Sequence, residues 1–284
     1  MKSIVFNQGI IQKDVPERPV EQDHVEVEAE KVLLNGIENA IYLGFLWVQP
    51  NLILGGTGTA KVTATALNVD PSLSGKRVLV LPFSPSRGGI GSEIDGILAE
   101  RSIVPQDSIV QISEGLGDNV LLYPFISVAL DIKDLISDGS TLIIGSGLTA
   151  LITTALLEEV EVYVGEGDLK PAGARTIRSL DGKWDNVVIT TLRGWARYVA
   201  EKIVNEKGKI VIPRFLKSWP PSFPRNTLFV EPRKRQDVLQ YLNSQKVIEI
   251  MRTYVGFSED VLASIPTPRP GVIVDIKKYF TTKK

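Results

Sequence analysis

The sequence predicts an α/β protein in which a mostly-β part is combined with a shortened, doubly wound parallel sheet. Three observations carry this reading. Up to about residue 110, short apolar runs with period-two alternation are parted by Gly, Pro and Asp clusters. From residue 141, strands alternate with helical stretches, the pattern of a parallel sheet. Where the second pattern begins, Gly145-Ser146-Gly147-Leu148-Thr149-Ala150 stands between an apolar strand and an apolar helical run.

Taken in order, strands are expected at 3–6, 25–29, 59–64, 77–81 and 109–112. The stretch 113–118 has the Ser and acidic residues of a helix start, and 119–135 keeps helical spacing broken only by Pro124. Strands at 141–144, 160–164, 186–190 and 209–213 follow, with helices at 148–159 and 196–205. A strand at 228–230, one helix over 235–254 and a last strand at 271–275 complete the chain. Between them, 213–224 is too proline-rich for a helix and reads as an ordered surface excursion, an interface or a plain loop. Length predicts two domains, placed at 1–128 with 256–284 and at 129–255.

Each small residue of the glycine run has its own task. Gly145 permits a sharp exit from the strand, Gly147 has no Cβ to hold a pyrophosphate off the backbone, and Ala150 lets helix and strand pack closely. The helix N-terminus behind them offers unpaired N–H groups to phosphate. This is the outline of a dinucleotide-binding, Rossmann-type βαβ unit, with Gly145, Ser146, Gly147, Leu148, Thr149 and Ala150 as cofactor-binding candidates. Thr190 and Thr191, at the carboxyl end of a later strand, join them, because open α/β sheets bind ligands there. Glu166 is the acidic candidate for the ribose hydroxyls. Lys170, Arg175 and Arg178 equally suit a 2′-phosphate, so NAD and NADP both stay open, with the lean towards NAD. The competing reading is a tight turn in a Rossmann-like domain that has lost its ligand.

Composition removes other classes. With 32 basic and 33 acidic residues the formal charge is −1, which gives no electrostatic case for nucleic acid or a charged membrane surface. The absence of cysteine excludes disulfides, thiolate metal sites and a cysteine nucleophile. The one histidine, His24, reads as a solvated residue at the polar start of a strand. No leader or membrane-length apolar run is visible, so a soluble cytoplasmic protein is expected.

Several segments carry a family resemblance. Asn35-Gly-Ile-Glu38-Asn-Ala40-Ile-Tyr42-Leu-Gly44 is similar to the segment bearing the first catalytic zinc ligand of the medium-chain dehydrogenase/reductase superfamily, the alcohol dehydrogenase and quinone reductase group. Ile53-Leu-Gly55-Gly56-Thr57-Gly58 resembles its Gly-His-Glu segment, Gly75-Lys-Arg77-Val78 its "GDRV" strand, and Asp95-Gly-Ile-Leu-Ala99-Glu100 with Val104-Pro105 its "GGFAEY…VP" run. The resemblance implies a GroES-like mostly-β domain, a Rossmann-type domain, and an oxidoreductase acting on a small carbonyl, alcohol or quinone-like substrate with NAD or NADP. A homo-oligomer, or a subunit of a hetero-oligomer, is the expected assembly.

The departures from the family pattern matter as much. Asn35 stands at the Cys position, Gly56 and Thr57 at the His and Glu positions, and Tyr123 precedes Pro124 where an acidic residue is usual. None is a strong zinc donor, so no catalytic zinc and no other metal is expected. Segment 84–91 replaces the structural zinc lobe. Asn35 and Glu38 resemble the "NPxD/E" pattern of the zinc-free branch, where hydrogen-bond donors stabilise a developing oxyanion. Asn35, Tyr42 and Tyr123 are therefore the catalytic candidates. Asn35 also reads as a turn residue before a helix, and the tyrosines as rim or core aromatics. Between Val164 and Asp185 there is no room for the family's two crossover helices and a strand. The alternative function is accordingly a catalytically inactive dehydrogenase-like protein serving as a nucleotide-sensing or structural subunit.

Overall fold

Period-two alternation of β-branched residues builds the N-terminal part around one long strand, His24–Leu34, whose apolar side chains are buried. In the computed structural model, which describes residues 1–136, 138–157 and 159–282, this strand belongs to the first of two units, Met1–Pro124 with the chain from Tyr254 onward. It pairs antiparallel with Gly58–Thr65, Ser102–Pro105 and Gly271–Asp275. The C-terminal strand thereby returns to the N-terminal unit. Two register shifts, between Glu26 and Val27 and between Ala29 and Lys31, let the strand bend while serving all three neighbours.

The first unit contains more regular structure than the sequence pattern shows. Ile10–Asp14 pairs with Lys2–Phe6, and Val255–Ser258 pairs with Gly271–Asp275. Both added strands are short and mostly polar or solvent-facing, so their alternation is weak. The stretch expected as one helix over 235–254 is two, Val238–Tyr241 and Gln245–Tyr254, parted where Asn243 and Ser244 favour a turn. Pro124 lies in the first turn of Tyr123–Leu135, and the residues before it wind as the 3₁₀ segment Asp118–Leu122.

The second unit, Phe125–Thr253, holds a six-stranded, all-parallel sheet. In sheet order its strands are Arg175–Ile177, Glu161–Tyr163, Thr141–Ile144, Trp184–Ile189, Val204–Pro213 and Thr227–Val230. Numbered along the chain this is 3-2-1-4-5-6, the doubly wound order. Alternate side chains sort onto two faces. Leu142, Ile144, Val187, Ile189, Ile210 and Ile212 pack with Ala196, Ala200 and Ile203 of the helix Gly194–Ile203. Ile143, Val162, Val188 and Val211 pack with Val128 and Ile132 of Tyr123–Leu135 and with Ala150 of Leu148–Leu157.

The sheet is trimmed at one side. The third strand, Arg175–Ile177, is kept and pairs in register with Glu161–Tyr163, but 164–174 before it and 178–183 after it contain no helix. The chain retains the strand and sheds both crossover helices, because links of 11 and 6 residues fall short of the roughly dozen or more that a helical crossover needs. Among the described residues, no helix is long and apolar enough to cross a membrane.

Candidate functional site

The strand Thr141–Ile144 is buried along its whole length and delivers Gly145 to the carboxyl edge of the sheet. Gly145 has φ +143, and a Cβ built there would lie 2.1 Å from Thr190 Oγ1. Both facts require glycine. Thr190 fixes the turn from the neighbouring strand: its N–H donates to Ile144 O at 2.9 Å and its hydroxyl to the same oxygen at 3.3 Å. Gly147 is different. A Cβ there would meet nothing within 4 Å, so this backbone faces open space.

The helix Leu148–Leu157 starts directly after Gly147, and Leu151 N–H donates to Gly147 O at 3.0 Å. The N–H groups ahead of Leu151 have no acceptor inside the helix and are free for an anion. Leu148 and Thr149 bury their side chains, so they can offer a ligand only backbone. Ala150 is fully buried against Ile143, Val162 and Val188, the close packing its small size permits.

The loop 164–168 carries two acidic residues, Glu166 and Asp168, which the structure places differently. Gly165-Glu166-Gly167-Asp168 forms a turn with Gly167 at φ +79, closed by Asp168 N–H donating to Gly165 O at 3.2 Å. Glu166, at the turn's tip, is exposed. Asp168 comes back towards the glycine run: Oδ1 accepts from Ser146 Oγ at 3.3 Å and Oδ2 from Gly165 N–H at 3.0 Å. The carboxylate beside the glycine turn is therefore Asp168, two residues beyond Glu166. Of the expected basic residues, Arg175 is engaged with Glu161 at 3.0 Å, while Lys170 and Arg178 are exposed.

These groups surround a cleft of about 120 Å³ lined by Ser146, Tyr163, Asp168, Thr191, Arg193 and Trp195, together with the start of the glycine turn. Trp195 meets Tyr163 edge-on, 5.7 Å between ring centres. Tyr163, Arg193 and Trp195 were invisible to motif reading because each lies outside the glycine run. The one signal for them is position, at or just after the carboxyl ends of neighbouring strands.

In the first unit the three catalytic candidates separate. Asn35 caps the helix Gly36–Tyr42: its Oδ1 accepts from Ile37 N–H at 3.0 Å, and Glu38 Oε2 accepts from Asn35 N–H at 2.8 Å, a complete capping box. The Nδ2 of Asn35 has no partner among the described residues. Tyr42 is 51% exposed at the opposite end of the same helix, about 10 Å along the axis at 1.5 Å per residue. Tyr123 is 2% exposed and belongs to the core. Asn35 and Tyr42 therefore cannot address one substrate atom from adjacent positions, and Tyr123 offers no accessible ring.

Glu38 is 1% exposed, and burial pushes its carboxyl up to about 7 against the opposing hydrogen bonds from the N–H groups of Asn35, Glu38 and Gly56. Among the described residues, these positions do not assemble the donors a catalytic zinc needs. Asn35 Oδ1 is committed to the cap, and a Cβ at Gly56 would lie 2.7 Å from Ile90 O, so no ligating side chain fits there. Thr57 contributes only a buried hydroxyl.

No protein-family profile and no curated protein sequence matches the chain. Solved structures match it over almost its whole length. A short chain alcohol dehydrogenase from E. coli CFT073, complexed with NADH, is 16% identical with a TM-score of 0.69, covering 97% of this chain and 99% of that one. Galactitol-1-phosphate dehydrogenase from Escherichia coli is 15% identical with a TM-score of 0.71, covering 97% and 100%. Haloferax mediterranei glucose dehydrogenase, in complex with NADP, Zn and gluconolactone, is 14% identical with a TM-score of 0.67, covering 97% and 99%. The fold is thus that of these dehydrogenases, a mostly-β unit with a Rossmann-type sheet, as the resemblance implied.

Proposed function

We propose that this chain is a nicotinamide-nucleotide-dependent oxidoreductase that works without a catalytic zinc on a small carbonyl, alcohol or quinone-like substrate. The observation that carries the reading is the glycine turn: Gly145 pinned against Thr190, Gly147 open, helix N–H groups behind it, and Asp168 beside it, all within a 3-2-1-4-5-6 sheet. Similar structures hold NADH and NADP, which supports the same ligand class for this chain.

The residues present fit such a cofactor. Backbone N–H groups at 147–149 would hold the pyrophosphate, and Asp168 would accept hydrogen bonds from ribose hydroxyls. Its charge opposes a 2′-phosphate, so NADH is expected to bind more tightly than NADPH. When bound, the nicotinamide supplies or accepts hydride. For the substrate, Asn35 Nδ2 is the available donor to a developing oxyanion, because the cap uses only the amide oxygen. With the zinc donors unassembled, polarisation of a carbonyl rests on such neutral donors.

A second reading, a nucleotide-sensing or structural subunit without turnover, draws on two observations: the capping role of Asn35, and a third strand without crossover helices. Calorimetric titration with NADH and NADPH, repeated on Gly147→Trp, tests the nucleotide site. A Cβ at Gly147 meets nothing within 4 Å, so a side chain there starts in open space, and native circular dichroism of the variant checks that the fold is kept. Binding by the native chain and its loss in the variant is the expected result, and no binding of either cofactor would sink the oxidoreductase and nucleotide-sensing readings and leave the structural subunit. Turnover of a carbonyl and quinone panel, measured on a chain that binds, then separates enzyme from sensor.

A further inference from the structure

The first unit contains a cavity of about 440 Å³ built wholly from its own residues. This lies within the roughly 300–1,000 Å³ of small-molecule sites. Segment 15–21 contributes to its wall and makes two ion pairs, Glu17 with Arg101 and Arg18 with Asp95, the latter at 2.7 Å. Those charges neutralise each other and are spent on the wall.

Other charges in the lining are not. Lys13 Nζ donates only to the neutral Asn51 Oδ1, at 2.8 Å, and the Arg87 guanidinium has no carboxylate partner among the described residues. Asp14, Glu21 and Glu26 likewise have no cation among them, and Glu26 accepts only from the Thr63 hydroxyl, at 2.6 Å. A purely anionic ligand would leave these three carboxylates facing like charge, and a cation would do the same to Lys13 and Arg87. A molecule carrying both charges satisfies both groups.

His24 adds direction. Contrary to the solvated position the sequence suggests, it is 7% exposed, and it lines the cavity. Its Nδ1 lies 2.6 Å from Gln22 O; a carbonyl only accepts, so Nδ1 carries the proton and Nε2 is an acceptor. Nε2 has no partner among the described residues.

We propose that this cavity binds a small zwitterion of the amino-acid class, its carboxylate towards Lys13 and Arg87 and its ammonium towards Asp14, Glu21 and the His24 ring. The site is independent of the nucleotide cleft and of the reading built on it.

The chain's single histidine makes the test direct, since a protein labelled at the imidazole Cε1 gives one ring resonance. The full chain is titrated with the proteinogenic amino acids in small groups, then with the N-acetyl and methyl-ester forms of any that act. The expected result is a saturable shift of the His24 resonance by a free amino acid, with Arg87→Ala and Asp14→Asn each weakening the midpoint by about tenfold, the scale of a lost charge-assisted hydrogen bond. Both side chains are exposed and outside any ion pair, so the variants should keep the native circular dichroism. No shift at millimolar amino acid would overturn the proposal. So would equal binding of the acetylated or esterified forms, or midpoints unchanged in both variants.

Discussion

At the residue scale, two glycines two positions apart do unlike work. Gly145 combines a left-handed φ with contact against Thr190, whereas Gly147 has neither constraint. Gly145→Ala should therefore lose about 2–4 kcal/mol of stability in denaturant unfolding, and Gly147→Ala under about 1 kcal/mol. Equal losses would show that the turn is not built as described. Glu38 gives a pH signature. Its folded carboxyl, raised from 4.5 to about 7, binds a proton more tightly than the unfolded one, so its own contribution to stability is fully present below pH 4.5 and is lost as pH rises to about 7. The loss integrates to about 3 kcal/mol at 1.36 kcal/mol per pH unit. Glu38→Gln should flatten that part of the stability profile, as read from urea midpoints between pH 4.5 and 8. The motif made Gly145 and Gly147 legible in the sequence. That Asp168 rather than Glu166 lies beside the glycine turn was not, because it depends on which way a four-residue turn points its side chains.

At the element scale, the helix Gly36–Tyr42 is short and relies on its N-terminal cap, so Asn35 has a structural duty whatever its chemistry. Substitution separates the two. Asn35→Asp keeps a good capping oxygen but removes the Nδ2 donor, while Asn35→Ala removes both. The alanine variant should be about 1 kcal/mol less stable and the aspartate variant close to native. Reduced kcat in the stable aspartate variant, with nucleotide affinity unchanged, would mark the amide as the oxyanion donor; native kcat would leave it a cap only. The spacing of Asn35 and Glu38 makes the box itself a local feature, whereas the further hydrogen bond that Gly56 N–H gives the Glu38 carboxylate comes from a distant segment and is not visible in the spacing.

At the scale of the whole molecule, stability across the parallel sheet should be graded. Thr141–Ile144 and Trp184–Ile189 are paired on both sides and packed on both faces, while Arg175–Ile177 is an edge strand without crossover helices of its own. Native-state hydrogen exchange should find amides of the two inner strands protected by several orders of magnitude more than those of the edge strand. Comparable protection at Arg175–Ile177 in the isolated chain would mean that something else covers that edge. Addition of NADH should raise protection at the glycine turn and at Asp168 if the nucleotide site is as proposed.

The sequence by itself determined the two-part architecture, the parallel sheet and the strand–turn–helix at Gly145, because alternation and the needs of a tight turn are local properties. It also removed cysteine chemistry outright. Tertiary structure alone decided the rest. Three-dimensional packing exposed Tyr42 and buried Tyr123 and His24, and brought Asp168, Arg193 and Trp195 to one cleft. It also kept the third strand while omitting its helices. These outcomes depend on contacts between residues far apart in the chain, and periodicity carries no record of which distant segment a side chain will meet.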